Sequence, residues 1–133
     1  LNWYELSNWG RPAEHNLVYW RNQNWWGFGP GAHSHMDGVR WWNVKHPNIY
    51  KKKLESFESP MQDRESLTAE QKRDEAIMLQ IRLREGLAIS DLSESQLATL
   101  EKYPNEVSFE NNRAILTLPG RLIADRIVRE LVL

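Results

Sequence analysis

The 133-residue sequence has no cysteine, which excludes disulfides, thiolate metal sites and iron–sulfur ligation by these residues. It also lacks any apolar run near the ~20 residues that a membrane-spanning helix needs. Nothing at its start reads as a signal peptide, so a cytoplasmic protein without a membrane span is the expectation. A dominant charge is missing too. Lys and Arg number 17 against 18 Asp and Glu, for a net charge of −1, so no general pull toward nucleic acid or anionic lipid exists. Tryptophan and histidine are absent from the whole chain beyond residue 46.

What is present is therefore unevenly placed. All seven tryptophans and all four histidines (His15, His33, His35, His46) lie in the first 46 residues. Beyond them the sequence turns rich in Glu, Lys, Arg and Leu and reads as amphipathic helices. The expected organisation is a His/Trp-rich region at 1–57, a linker at 58–66 and a helical domain at 67–133. The polar stretch around Pro60 marks the break. Leu1 is not an initiator methionine, and 3–7 reads at once as a strand. A lone strand leaves backbone groups unsatisfied, so its partners are expected in sequence preceding Leu1.

Local patterns predict a short helix at 15–24 and β segments at 28–36 and 39–44 around an Asp37-Gly38 turn. Pro47 then opens a helix running to about Phe57. Thr68 with Gln71, and Ser93 with Gln96, have capping-box spacing. Helices are expected from each, the first burying Ala76, Ile77 and Ile81 and stopping at Gly86. A hairpin at 107–110 and 113–116 follows, then a last helix with Ala124, Ile127 and Leu131 on one face. Helix, helix, hairpin, helix in that order suggests a small winged-helix-like domain and an α+β chain overall. Nucleic-acid binding is not expected of it, because the candidate recognition helix at 94–103 sets Glu94 and Glu101 against one Lys102.

The segment His15-Asn16-Leu17-Val18-Tyr19-Trp20 carries the most chemistry. On a helix, His15 and Tyr19 are i, i+4 neighbours with Trp20 beside them. An imidazole between two aromatic faces suits heme, as axial ligand and packing walls. Taken by themselves, the residues better suit a buried histidine bonded to a carbonyl among core aromatics. His33 and His35, two apart in a strand, share a face as a metal pair would, but no third ligand stands out and structural roles are expected. Gly27, Gly29 and Gly31 lack the spacing of a phosphate loop and suggest close backbone approach in a strand. Lys51 to Lys53 read as a solvated helix face.

Three blocks together resemble a known family: Tyr4-Glu5-Leu6-Ser7-Asn8, then His15 to Trp20, then Gly27-Phe28-Gly29-Pro30-Gly31-Ala32-His33-Ser34. They are similar to the oxygen-independent coproporphyrinogen oxidase-like radical-SAM proteins. The His-Asn-x-x-Tyr-Trp pattern resembles the HemW-type heme chaperones within that group, and Leu116 to Asp125 resembles the family's C-terminal domain. One departure is Pro30, where the family more often has a small residue.

The resemblance implies the last strands of a partial (β/α) radical-SAM barrel followed by the C-terminal domain. It implies heme binding by His15, Asn16, Tyr19 and Trp20, with His15 as candidate iron ligand, and delivery of heme to apo-proteins. The 4Fe-4S cluster and S-adenosylmethionine would belong to an N-terminal radical-SAM domain outside these residues, so no catalytic residue is assigned and the chain itself is not expected to be an enzyme. The alternatives are the porphyrin-biosynthetic coproporphyrinogen III oxidase, and a structural or docking module. Tryptophans separated from such a barrel would form a patch for self-association.

Overall fold

Both capping boxes form. The Gln71 amide donates to Thr68 Oγ1 at 3.1 Å while Gln71 Oε1 accepts from the Thr68 amide at 3.0 Å. Ser93 and Gln96 make the same reciprocal pair at 3.2 and 3.0 Å. Each box satisfies two donors that a helix start would otherwise leave without partners.

The computed structural model describes residues 1–133. In chain order it contains β1 (Trp3–Glu5), β2 (Asn8–Trp9), α1 (Glu14–Trp20), β3 (His33–Met36), β4 (Val39–Asn43), α2 (Pro47–Glu55) and β5 (Met61–Ser66). Then come α3 (Ala69–Gln80), β6 (Leu87–Ala88), a 3-10 turn at Ile89–Asp91, α4 (Glu94–Glu101), β7 (Val107–Glu110), β8 (Arg113–Leu116), α5 (Leu118–Leu122) and α6 (Ala124–Val132). The chain is thus α+β, with three small antiparallel sheets ordered β1-β2, β3-β4-β5 and β6-β8-β7. No helix is long and apolar enough to cross a membrane.

The chain divides into two compact units. One unit joins Leu1–Asn22 to Arg73–Leu133; the other is Gln23–Lys72. Part of the expected linker is a strand. Met61–Ser66 pairs with β4, Trp41 opposite Arg64 and Val39 opposite Ser66. Every residue of β5 is exposed, so its polarity reads as a linker although its backbone completes a sheet.

The discontinuous unit has the apolar core. Ile77, Ile81, Leu87, Leu100, Val107, Ala114, Leu116, Ala124, Ile127, Val128 and Leu131 are buried together. On α6 the buried positions Ala124, Ile127, Val128 and Leu131 lie on one face at helical spacing. The helix expected to reach Gly86 stops at Gln80. Residues 82–84 instead run along β1: Leu6 N donates to Arg82 O at 3.1 Å and Arg84 N to Tyr4 O at 2.9 Å. Glu5 also bridges Leu83. β1 therefore finds backbone partners within this chain, in β2 and in this segment. Gly86 has φ +73°, and a Cβ there would stand 2.3 Å from Ala114 O, so it serves the sheet rather than a helix end.

The continuous unit is held differently. Its buried side chains are the polar Ser34, His35 and Asn43. Ser34 Oγ accepts from Gly27 N at 2.9 Å and Asn43 Nδ2 donates to Gly29 O at 3.0 Å. The hairpin has the expected register, His33 opposite Trp42 and Met36 opposite Val39, but its first strand starts at His33 rather than Phe28. Gly29 and Gly31 have φ of +103° and +68°, so with Pro30 they turn the chain instead of extending it.

Candidate functional site

α1 spans seven residues and carries the whole predicted motif. It ends sooner than residue 24 because Asn22 adopts φ +56°, a left-handed conformation that stops helical propagation. Four residues apart, His15 and Tyr19 meet as expected: the Tyr19 hydroxyl lies 2.9 Å from His15 Nε2. Their rings stand nearly perpendicular, 5.1 Å apart between centroids, the edge-to-face arrangement that aromatic quadrupoles favour. His15 is exposed and Tyr19 partly buried. The alternative of a buried histidine bonded to a carbonyl therefore does not describe His15.

Asn16 and Trp20 follow on the next face of the helix. Asn16 Nδ2 donates to the Tyr4 hydroxyl at 3.2 Å, which ties α1 to β1. The Trp20 indole N–H is buried without an acceptor, a cost of about 1–3 kcal/mol for a donor removed from water. The face holding Leu17 and Arg21 borders a cavity of about 450 Å³ with Trp3, Tyr4 and Arg84 on its walls. At its rim Arg21 and Glu85 form a two-pronged ion pair at 2.9 and 3.0 Å. The hydrogen bond to Glu85 raises the Arg21 pKa further above its ordinary value.

Tyr4, Glu85 and the cavity were not among the predicted site residues. Glu85 is 64 positions from Arg21, and no spacing rule in a single sequence links them. Tyr4 could have been found, since the strand carrying it was recognised. Glu5 is 1% exposed, and its Oε2 accepts from the Ser7 amide and hydroxyl and from Asn8 Nδ2. That charge is spent on shaping the turn into β2.

The other histidines stand apart from this constellation. His35 is buried, with Gly38 N donating to its Nε2 and its Nδ1 lying 3.2 Å from Gln23 O. Those two contacts fit the neutral ring with its proton on Nδ1, a structural role. His33 is exposed and leans on Trp42 at 6.1 Å, and His46 caps α2 through Asn48 N. No group of three or more His, Asp or Glu is arranged to hold a metal ion.

No family model matches the chain, but curated proteins do. The heme chaperone HemW of Mycobacterium tuberculosis (strain CDC 1551 / Oshkosh) is 42% identical over 98% of this chain. The chain is a homologue of the HemW proteins. HemW of Bacillus subtilis (strain 168) is 31% identical over 76% of the chain, and the mitochondrial radical S-adenosyl methionine domain-containing protein 1 of Danio rerio is 32% identical over 63%. The chain spans about a third of the HemW length: 35% of the mycobacterial protein and 27% of the Bacillus one. Among solved structures, coproporphyrinogen III oxidase (HemN) from Escherichia coli, a radical SAM enzyme, matches with a TM-score of 0.62. That match covers 82% of this chain and 28% of that one. At 17% identity it shows a shared fold and nothing of the chemistry.

Proposed function

We propose that this chain carries the heme-binding motif of a HemW-type heme chaperone, and that the whole protein delivers heme to apo-proteins. The supporting observation is the exposed His15 imidazole in contact with the Tyr19 phenol, with Trp20 on the same short helix. A ligand atom for iron is useful only where a flat macrocycle can approach it, and His15 is exposed. Tyr19 and Trp20 are partly buried and offer aromatic faces to such a ring. Asn16 acts by fixing the helix against β1 through Tyr4.

In this reading β1 is a late strand of the radical-SAM barrel, and the helices with the β6-β8-β7 sheet form the winged-helix-like C-terminal domain. The radical chemistry, its 4Fe-4S cluster and S-adenosylmethionine belong to residues outside this chain, and the setting is cytoplasmic. The oxidase alternative has a fold likeness behind it but no residue of this chain. Heme titration decides between the readings. Saturable binding of ferric heme, lost when His15 and Tyr19 are both replaced, fits the chaperone. Decarboxylation of porphyrin propionates by the full-length protein loaded with its cluster would favour the oxidase instead.

A further inference from the structure

We infer that the discontinuous unit carries a second ligand site, a cavity centred on Arg121 that binds an oxyanion, the carboxylate or phosphate group of a small ligand. This site is independent of the heme reading and shares no residue with α1.

The cavity, of about 340 Å³, opens between Leu6, Arg82 and the junction of α5 with α6 at 121–126. Three guanidinium groups line it, those of Arg82, Arg121 and Arg126, against the single carboxylate of Asp125. In a chain of net charge −1 this is a local excess of positive charge. Two of the three are partly engaged. Arg82 Nη2 lies 2.6 Å from Asp125 Oδ1, and Arg126 Nε lies 3.5 Å from Glu130 Oε1. Asp125 is 80% exposed and Arg126 70%, so water competes for both pairs.

Arg121 is the cation that these pairs leave over. Its Nε is closed off from solvent and has no acceptor. Its guanidinium carbon stands 4.2 Å from the centroid of the Trp3 ring and 5.8 Å from that of Trp9. Ring faces attract a cation but do not neutralise it. A guanidinium that has lost part of its hydration and lacks a counter-charge attracts an anion more strongly than a fully hydrated one.

The group is also held in place. Thr117 Oγ1 caps α5 by accepting from Gly120 N at 3.3 Å, and Gly120 lies against the Glu106 carbonyl with no room for a side chain. The aromatic seat comes from β1 and β2, which carry Trp3 and Trp9. With Nε closed off, the terminal nitrogens are the donors left for a ligand. Two oxygens of a carboxylate or phosphate can accept from such a planar group at once, while Arg82 and Arg126 supply the surrounding charge.

The test is calorimetric titration of the protein with inorganic phosphate and, separately, with succinate at low ionic strength, with NMR of the Trp3 and Trp9 indole N–H signals. Saturable binding of at least one anion is expected, weakening as sodium chloride is raised and shifting both indole signals. Whichever anion binds more tightly assigns the ligand as a phosphate or a carboxylate. Arg121→Gln should weaken binding by about 10- to 100-fold, the usual loss for a hydrogen bond to a charged group. Asp125→Asn removes the competing carboxylate at an exposed position and should tighten binding by up to about fivefold. It decides the matter alone if Arg121→Gln fails to fold. Absence of saturable binding for both anions, or an affinity that moves in neither expected direction, would overturn the site.

Discussion

The two units of this chain are held together by opposite means. The unit of Leu1–Asn22 with Arg73–Leu133 buries eleven apolar side chains in one cluster. Gln23–Lys72 buries the side chains of Ser34, His35 and Asn43, and leaves Trp26 and Phe28 exposed at 59% and 84%. Burial stabilises the first in proportion to area, with little dependence on direction. Hydrogen bonds hold the second only while each partner keeps its geometry. The candidate heme motif sits on the well-cored unit, although four of the seven tryptophans are on the other. Aromatic abundance is therefore a poor guide to where this chain places its chemistry.

The contrast can be broken most forcefully in the core. Ile127→Ala or Leu100→Ala, each at a fully buried site, should cost about 2–5 kcal/mol in urea unfolding. Equal protection of Gly38 and Ile127 amides in native-state hydrogen exchange would contradict the difference between units, since a hydrogen-bonded sheet with little apolar burial should open at lower free energy. Next in size is His35→Ala. It strips Gly38 N and Gln23 O of their partner, for an expected loss of about 1–3 kcal/mol, visible as faster exchange at Gly38.

Much of this was legible beforehand. Both capping boxes, the two hairpins and the buried face of α6 follow from short-range rules that one sequence contains. The i, i+4 meeting of His15 and Tyr19 does as well. What escaped notice depends on contacts distant in sequence. Residues 82–84 left the helix because β1 offered them backbone partners. Met61–Ser66 joined a sheet despite an exposed, polar sequence, since β4 supplied its hydrogen bonds. By the same means β5 ties 61–66 back to the hairpin. At the site, spacing says that His15 and Tyr19 meet but not which atoms do: the Tyr19 hydroxyl lies 2.9 Å from His15 Nε2.

Smaller effects sharpen the picture within the cored unit. Ser93→Ala removes one half of a capping box and should cost about 1 kcal/mol, read as a lower urea midpoint with unchanged slope. The weakest test is acid. The Tyr103 hydroxyl donates to Glu130 Oε2 at 2.7 Å, and this hydrogen bond, helped by Arg126, lowers the Glu130 pKa below its ordinary value. A lowered folded-state pKa gives stability that is present above the unfolded pKa and lost as pH falls through the folded one. Glu130→Gln should flatten the acid limb slightly by removing a small stabilisation at neutral pH, with stability below the folded pKa unchanged, the effect being small because Glu130 is on the surface.

The central claim is that heme is received by the short helix of the cored unit and not by the tryptophan-rich hairpin. Paramagnetic broadening of amide NMR signals on adding ferric heme tests it most directly. The account predicts selective loss of signals from residues 14–21, with those of 33–43 remaining sharp. Broadening centred on Trp26, Trp41 and Trp42, with His15 and Tyr19 unaffected, would contradict it.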